Sequence, residues 1–246
     1  RPPQPKHADA LLALGRPVQW DAPAHVVAFM TQRHGGASQA PFDSLNLGSH
    51  VGDEPRHYMA NRQLVAQGVG LKPLFMSQVH GVHVHVLTDP SANDVQADAV
   101  VCATPGLAAT VMVADCLPVL FAHKRLPLVG AAHAGWRGLA GGVLQATLAA
   151  LAQQSHCSVP ALCHELSVWL GPCIGPNAFE VGPEVRHAFV DQPHVFAQAS
   201  ACFEPQAGLR GNAVASKYLA NLPNLAAQLL RGLGVEQVHG NDGTQP

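Results

Sequence analysis

The chain has 246 residues, 48% of them hydrophobic and 12% charged, with a formal net charge of −2. That length supports a large core, and so sparse a positive charge excludes a phosphate-neutralising surface, so nucleic acid is not an expected partner. The longest apolar stretches, Val111–Phe121 and Val143–Ala152, are broken by Asp115 and Gln145 and are too short to span a bilayer, so no membrane association is expected.

Residues 1–23 open with the proline-rich RPPQPKHADA, which lacks the apolar centre of a signal peptide, and read as an N-terminal extension of a single domain covering 1–246. Apolar runs bounded by Gly and Pro then predict strands at Ala24–Met30, Leu74–Met76, Val82–Leu87, Ala99–Ala103, Ala108–Val113, Pro118–Phe121, Leu126–Ala132 and Leu166–Leu170. Helical patterns fall at Pro55–Gln67, Leu139–Ala152, Pro183–Val190 and Asn212–Arg231. The mixture predicts a layered α/β domain. Strands follow one another from Ala99 to Ala132 without a helix between them, so antiparallel pairs must occur and the sheet is mixed. Six cysteines with no CxxC pair read as reduced thiols, which places the protein in the cytoplasm.

Three separated segments, SQVHG, ADCLP and AAHAGWRG, each set one soft-metal ligand beside a turn or a glycine. Together they supply His80, Cys116 and His133. Two imidazoles and one thiolate fill three positions of a tetrahedral zinc and leave the fourth for water or substrate, the ligand count of a catalytic site. Each residue also has a plainer reading on its own, as a small buried thiol or as a polar residue in a loop. Cys116 and His133 are expected at strand ends, where sites are built in α/β sheets. Gly81 is expected to let the chain turn away after His80.

Asp115, directly before Cys116, is a candidate general base or histidine-orienting group. Asp98, in QADAV, is a weaker case of the same kind. The AHAGWRGL segment sets Arg137 at the start of a helix, where free N–H groups favour an anion, and its Gly135 and Gly138 are expected to serve a tight turn with positive φ. Near the front, TQRHGGAS supplies Arg33 as a second anion contact. The following PFDSLNLGSHVGD supplies Asp43, Asn46 and His50 in a loop suited to lining a site. His83 and His85 alternate with Val82, Val84 and Val86 and read as the solvent side of a half-buried strand.

RHGG, PFDSLNLGSHVGD, NRQLVAQ, SQVHG, ADAVV, ADCLPVLFA, AAHAGWRGL, LGPCIG, FEVG and SKYLANL resemble, in order from about Val26 to Leu222, the YfiH or laccase-domain family. The resemblance implies a single three-layer α/β domain with a mixed β-sheet, similar to the catalytic domain of cytotoxic necrotizing factor. It also implies zinc at His80, Cys116 and His133. The family's C-terminal segment, a Cys-Thr pair followed by an Arg-rich strand, is not found after Gln237–Pro246.

The resemblance implies a purine nucleoside phosphorylase acting on adenosine, inosine, guanosine and methylthioadenosine, with adenosine deaminase activity. Arg33, Arg137, Asn46 and His50 would then bind phosphate and nucleoside, and Cys116, His133 and Asp115 would serve the chemistry, with a zinc-bound water of pKa about 7 for attack on adenine. Other readings stay open. Cys116 as nucleophile with His133 as base gives a thiol hydrolase or amidase of the peptidoglycan-editing kind. The older label of multicopper polyphenol oxidase makes Cu2+ the metal, although only one HxH pair, His83 and His85, is present. A binding protein whose loops are tied by zinc is the fourth. Histidine and thiolate suit zinc and copper alike, and oligomeric state is not readable.

Overall fold

The computed structural model describes residues 12–91, 94–192, 195–206 and 217–244. Along the chain run β1 (Gly15–Pro17), β2 (Phe29–Thr31), α1 (Pro55–Val69), β3 (Val84–Val86), β4 (Ala99–Cys102), β5 (Leu117–His123) and β6 (Val129–Ala134). They are followed by α2 (Trp136–Gly141), α3 (Val143–Ser155), α4 (Val159–His164), β7 (Leu166–Leu170), β8 (Glu180–Val181) and α5 (Pro183–Val190). A 3-10 turn at Ala199–Cys202 leads to β9 (Phe203–Gln206), β10 (Lys217–Ala220), α6 (Leu222–Gly232) and β11 (Gln237–Gly240).

Six strands form one sheet in the order β11-β7-β5-β6-β4-β3. Its two outer pairs are parallel and the inner ones antiparallel, so the sheet is mixed, as the helix-free run of strands predicts. A three-stranded antiparallel sheet, β8-β10-β9, and the β1-β2 pair complete the strands.

Side-chain alternation gives the large sheet two different coverings. Ala99, Val101, Val119, Phe121, Ala132, Val168 and Leu170 share one core with Leu144, Leu148 and Leu151 of α3, Leu162 of α4 and Leu225, Leu229 and Leu230 of α6. Helix α6 shows why: Leu222, Leu225, Ala226, Leu229 and Leu230 repeat at helical spacing and are buried, and each leucine removed from water contributes about 2 kcal/mol. On the opposite face Val100, Cys102 and Ala131 meet Leu74, Met76, Leu107, Ala109 and Val111.

That second layer corrects two expected strands. Leu74–Met76 and Ala108–Val113 are extended chain lying on the sheet, joined by an isolated Pro73–Ala108 bridge and by shared apolar packing. Their apolar runs are satisfied by burial against a sheet face instead of by a ladder. The helix expected at Leu139–Ala152 is two helices, because Gly142 adopts φ 101° and its N–H turns back to the carbonyls of Gly138 and Leu139, a conformation that favours glycine. Of the helix expected at Asn212–Arg231, residues 212–216 lie outside the described residues, Lys217–Ala220 is β10, and α6 starts only after Asn221, whose side chain caps Asn224 N–H at 3.0 Å. Among the described residues no helix is long and apolar enough to cross a membrane.

Candidate metal centre

The site lies at one end of the large sheet, where β6 finishes and β4 and β5 begin. In the β5–β6 register Pro118 pairs with His133 and Leu117 with Ala134, so the next residues out, Cys116 and Gly135, face each other. His133 is buried at the end of β6, and its backbone N–H donates to the Asp98 carbonyl at 2.8 Å. Cys116 stands in the turn before β5, not at the close of a strand as expected. His80 comes in from the loop Ser77–Gly81, which Gln78 ties down by accepting from Met112 N–H at 2.8 Å and donating to Met112 O at 2.7 Å.

His80, Cys116 and His133 converge, with their ligand atoms all within 4.8 Å of one another. Cys116 Sγ lies 3.8 Å from His80 Nε2. The two imidazoles meet edge to face with ring centres 4.8 Å apart. Two glycines make the approach feasible by lacking a side chain. A Cβ at Gly135 would fall 2.7 Å from Cys116 Sγ and 3.0 Å from His80 Cδ2, and one at Gly138 would fall 3.1 Å from Gly81 O. Gly135 has φ −61° and Gly138 lies within α2, so close contact, not positive φ, is what requires them. The positive φ belongs to His80 itself, at 60°, and not to Gly81.

Asp98 underlies the centre and sequence reasoning gave it little weight. Its carboxylate, 0% exposed, accepts from Val79 N–H, from His80 N–H at 2.8 Å, from Gly81 N–H at 2.8 Å and from His133 Nδ1 at 3.1 Å. The sequence signal was slight: one acidic residue in the apolar run ADAVV, directly before β4.

Burial pushes the Cys116 thiol up to about 11, and the neighbouring Asp115 carboxylate adds to the effect. Burial also lowers His133, against the opposing pull of the Asp98 hydrogen bond. On the far side of β5, Gly171 N–H donates to Pro118 O and Ile174 N–H to Asp115 O, both at 2.9 Å. That brings Cys173 of the LGPCIG segment toward Cys116, and burial, then the charges of Cys116 and Asp115, push its thiol up to about 12. Asp115 is exposed beside the thiol.

The expected substrate residues lie on α2 and on the segment between β2 and α1. Arg137 is exposed in the first turn of α2 with its guanidinium 4.4 Å from the centre of the Trp136 ring. Arg33 donates to Asp43 O at 3.0 and 3.1 Å. Asn46 is held inside its own loop by Gly48 O and Asp53, and His50 is exposed. Among the described residues, none of these four side chains bonds to His80, Cys116 or His133.

The donor set suits a soft divalent ion. Nδ1 of His133 is taken by Asp98, which leaves Nε2 for a metal, the usual outer-shell arrangement of a ligating histidine, and three protein ligands leave a coordination position open. Fold and site thus define an α/β protein with a candidate three-ligand metal centre at the end of a mixed sheet.

The chain belongs to the family described as multi-copper polyphenol oxidoreductase laccase, whose model matches residues 27–244. It is 49% identical over 221 residues to the purine nucleoside phosphorylase PA4543 of Pseudomonas aeruginosa, covering 90% of this chain and 84% of that protein. It is 45% identical over 226 residues to the purine nucleoside phosphorylase YfiH of Escherichia coli K12, covering 91% and 85%. Among solved structures it is similar to protein NMB0706 of Neisseria meningitidis, with a TM-score of 0.77 and 42% identity over 94% of this chain and 87% of that one.

Proposed function

We propose that this chain is a zinc-dependent purine nucleoside phosphorylase acting on adenosine, inosine, guanosine and methylthioadenosine, and that it also deaminates adenosine. The observation that carries the reading is the convergence of His80, Cys116 and His133 within 4.8 Å, in a chain so similar to proteins named purine nucleoside phosphorylase. Zinc held there would supply Lewis acidity and lower the pKa of a bound water. His80, Cys116 and His133 hold the ion, and Asp115, exposed beside the thiol, gives or takes the proton. Arg33 and Arg137 bind phosphate, whose planar pairing with guanidinium fixes its orientation, and Asn46 and His50 line the same loop. In phosphorolysis a phosphate oxygen bonds to ribose C1′ as the bond from C1′ to the purine nitrogen breaks. The purine leaves with a proton, and ribose 1-phosphate remains.

One observation favours this over the copper alternative. A multicopper oxidase needs further closely spaced metal ligands, and among the described residues one such group is found.

The test is to incubate the purified protein with adenosine and phosphate and to follow adenine, ribose 1-phosphate and inosine, alongside its metal content. Products and about one zinc per chain are expected, both lost in Cys116→Ala. No product above that variant overturns the reading, and copper with dioxygen uptake on a phenol replaces it with an oxidase.

A further inference from the structure

We propose that Asp98 is the positioning residue that makes the two histidines a single metal-binding unit, by fixing the proton of His133 on Nδ1 and holding the backbone of His80. The inference rests on the metal reading above.

Oδ1 of Asp98 accepts from the backbone N–H of His80 at 2.8 Å and from Nδ1 of His133 at 3.1 Å. One oxygen therefore joins the main chain of one ligand to the ring of the other. Oδ2 accepts from Gly81 N–H at 2.8 Å and Val79 N–H at 3.2 Å. Three successive N–H groups curl around the carboxylate as an anion-holding nest. This supports His80 at φ 60°, a region uncommon for residues with a Cβ. The backbone of Asp98 takes part too, since its carbonyl accepts from His133 N–H at 2.8 Å.

A carboxylate only accepts, so the ring nitrogen that meets it must carry the proton. Nε2 of His133 is then the nitrogen left with a lone pair for a metal. Without that partner either ring nitrogen can hold the proton, and the wrong choice blocks a ligand position. Asp98→Asn weakens both roles: the amide keeps one acceptor oxygen, but its NH2 must point at N–H groups the carboxylate satisfied, so the His133 tautomer is read beside zinc affinity.

The experiment uses the full chain with zinc as the only probe. Zinc affinity is measured by calorimetry in the natural chain and in Asp98→Asn, and the protonated ring nitrogen of His133 is read from 15N–1H correlations with and without zinc at pH 7.5. His133→Gln identifies its signals. The expected result is an Nδ1 proton on His133 in the natural chain in both states. Asp98→Asn is expected to lose about 10–100-fold in zinc affinity and, without metal, to move the proton toward Nε2. An Nε2 proton in the natural metal-free chain overturns the proposal, as does unchanged zinc affinity in the variant. If Asp98→Asn fails to fold, the tautomer of the natural chain still decides. A natural chain that binds no zinc sinks the metal reading instead, and the His133 tautomer then judges Asp98 separately.

Discussion

Gly135 and Cys116 face each other one residue beyond the last paired positions of β5 and β6, so close that a Cβ at Gly135 would fall 2.7 Å from Sγ of Cys116. The backbone of Gly135, at φ −61° and ψ 160°, is open to any residue. The cost of Gly135→Ala therefore falls on the ligands. Cys116 and His80 must move apart, and zinc affinity should drop at least about tenfold. Unfolding free energy of the metal-free chain should fall by about 1–3 kcal/mol from overpacking. Zinc titration beside urea unfolding checks both, and an unchanged affinity would show that this close approach is dispensable.

Asn61 carries a second prediction. Its buried side chain accepts from Ala37 N–H at 2.7 Å and donates to Ser38 Oγ, Ser44 O and Asn46 O, tying the loop of Arg33, Asn46 and His50 to α1. Asn61→Ala removes this partner from Ala37 N–H and Asn46 O, whereas Ser38 Oγ keeps Asp53 and Ser44 O keeps Ser38 N–H, at about 1–3 kcal/mol for a buried orphan. With Arg33 as a phosphate contact, KM for phosphate should rise while zinc stoichiometry stays unchanged. Steady-state kinetics with varied phosphate, paired with metal analysis, reads the two effects apart.

His123 gives the pH dependence. It is buried at the end of β5, and its Nδ1 accepts from the N–H groups of Arg125 and Leu126, both at 3.1 Å. Burial lowers its pKa below the ordinary histidine value of 6.5. Between that lowered value and 6.5 the unfolded chain binds more protons than the folded one. Stability from this group is thus complete above about pH 6.5 and declines as pH falls. His123→Asn keeps an acceptor but does not titrate, so its urea midpoint should fall less than that of the natural chain between pH 7.5 and 5.5. Equal falls would remove His123 from the account.

Much of the fold was legible. Leu166–Leu170 and Pro183–Val190 occupy the bounds their patterns predict, because each is an apolar or amphipathic run with clear stops. Leu74–Met76 and Ala108–Val113 misled, since an apolar run reports burial and not the ladder that pairs it. Strand β11 was missed because Val238 and His239 carry a weak pattern, and it exists by parallel pairing with β7. In the site, SQVHG, ADCLP and AAHAGWRG pointed to all three residues of the group that could hold a metal. Asp98 was nearly passed over, because its bonds to Val79, His80, Gly81 and His133 cross 17 to 35 residues of chain.

Residue chemistry and local pattern by themselves determined the α/β class, the mixed sheet and the side chains able to bind a soft metal. Which two of 15 histidines and which one of 6 cysteines meet was decided by the tertiary structure. The β5–β6 and β4–β6 registers bring Cys116 and Asp98 to His133, and the Asp98 carboxylate then draws in the His80 loop. Register is a property of paired strands, set by the burial of whole sheet faces, so no single segment could carry it.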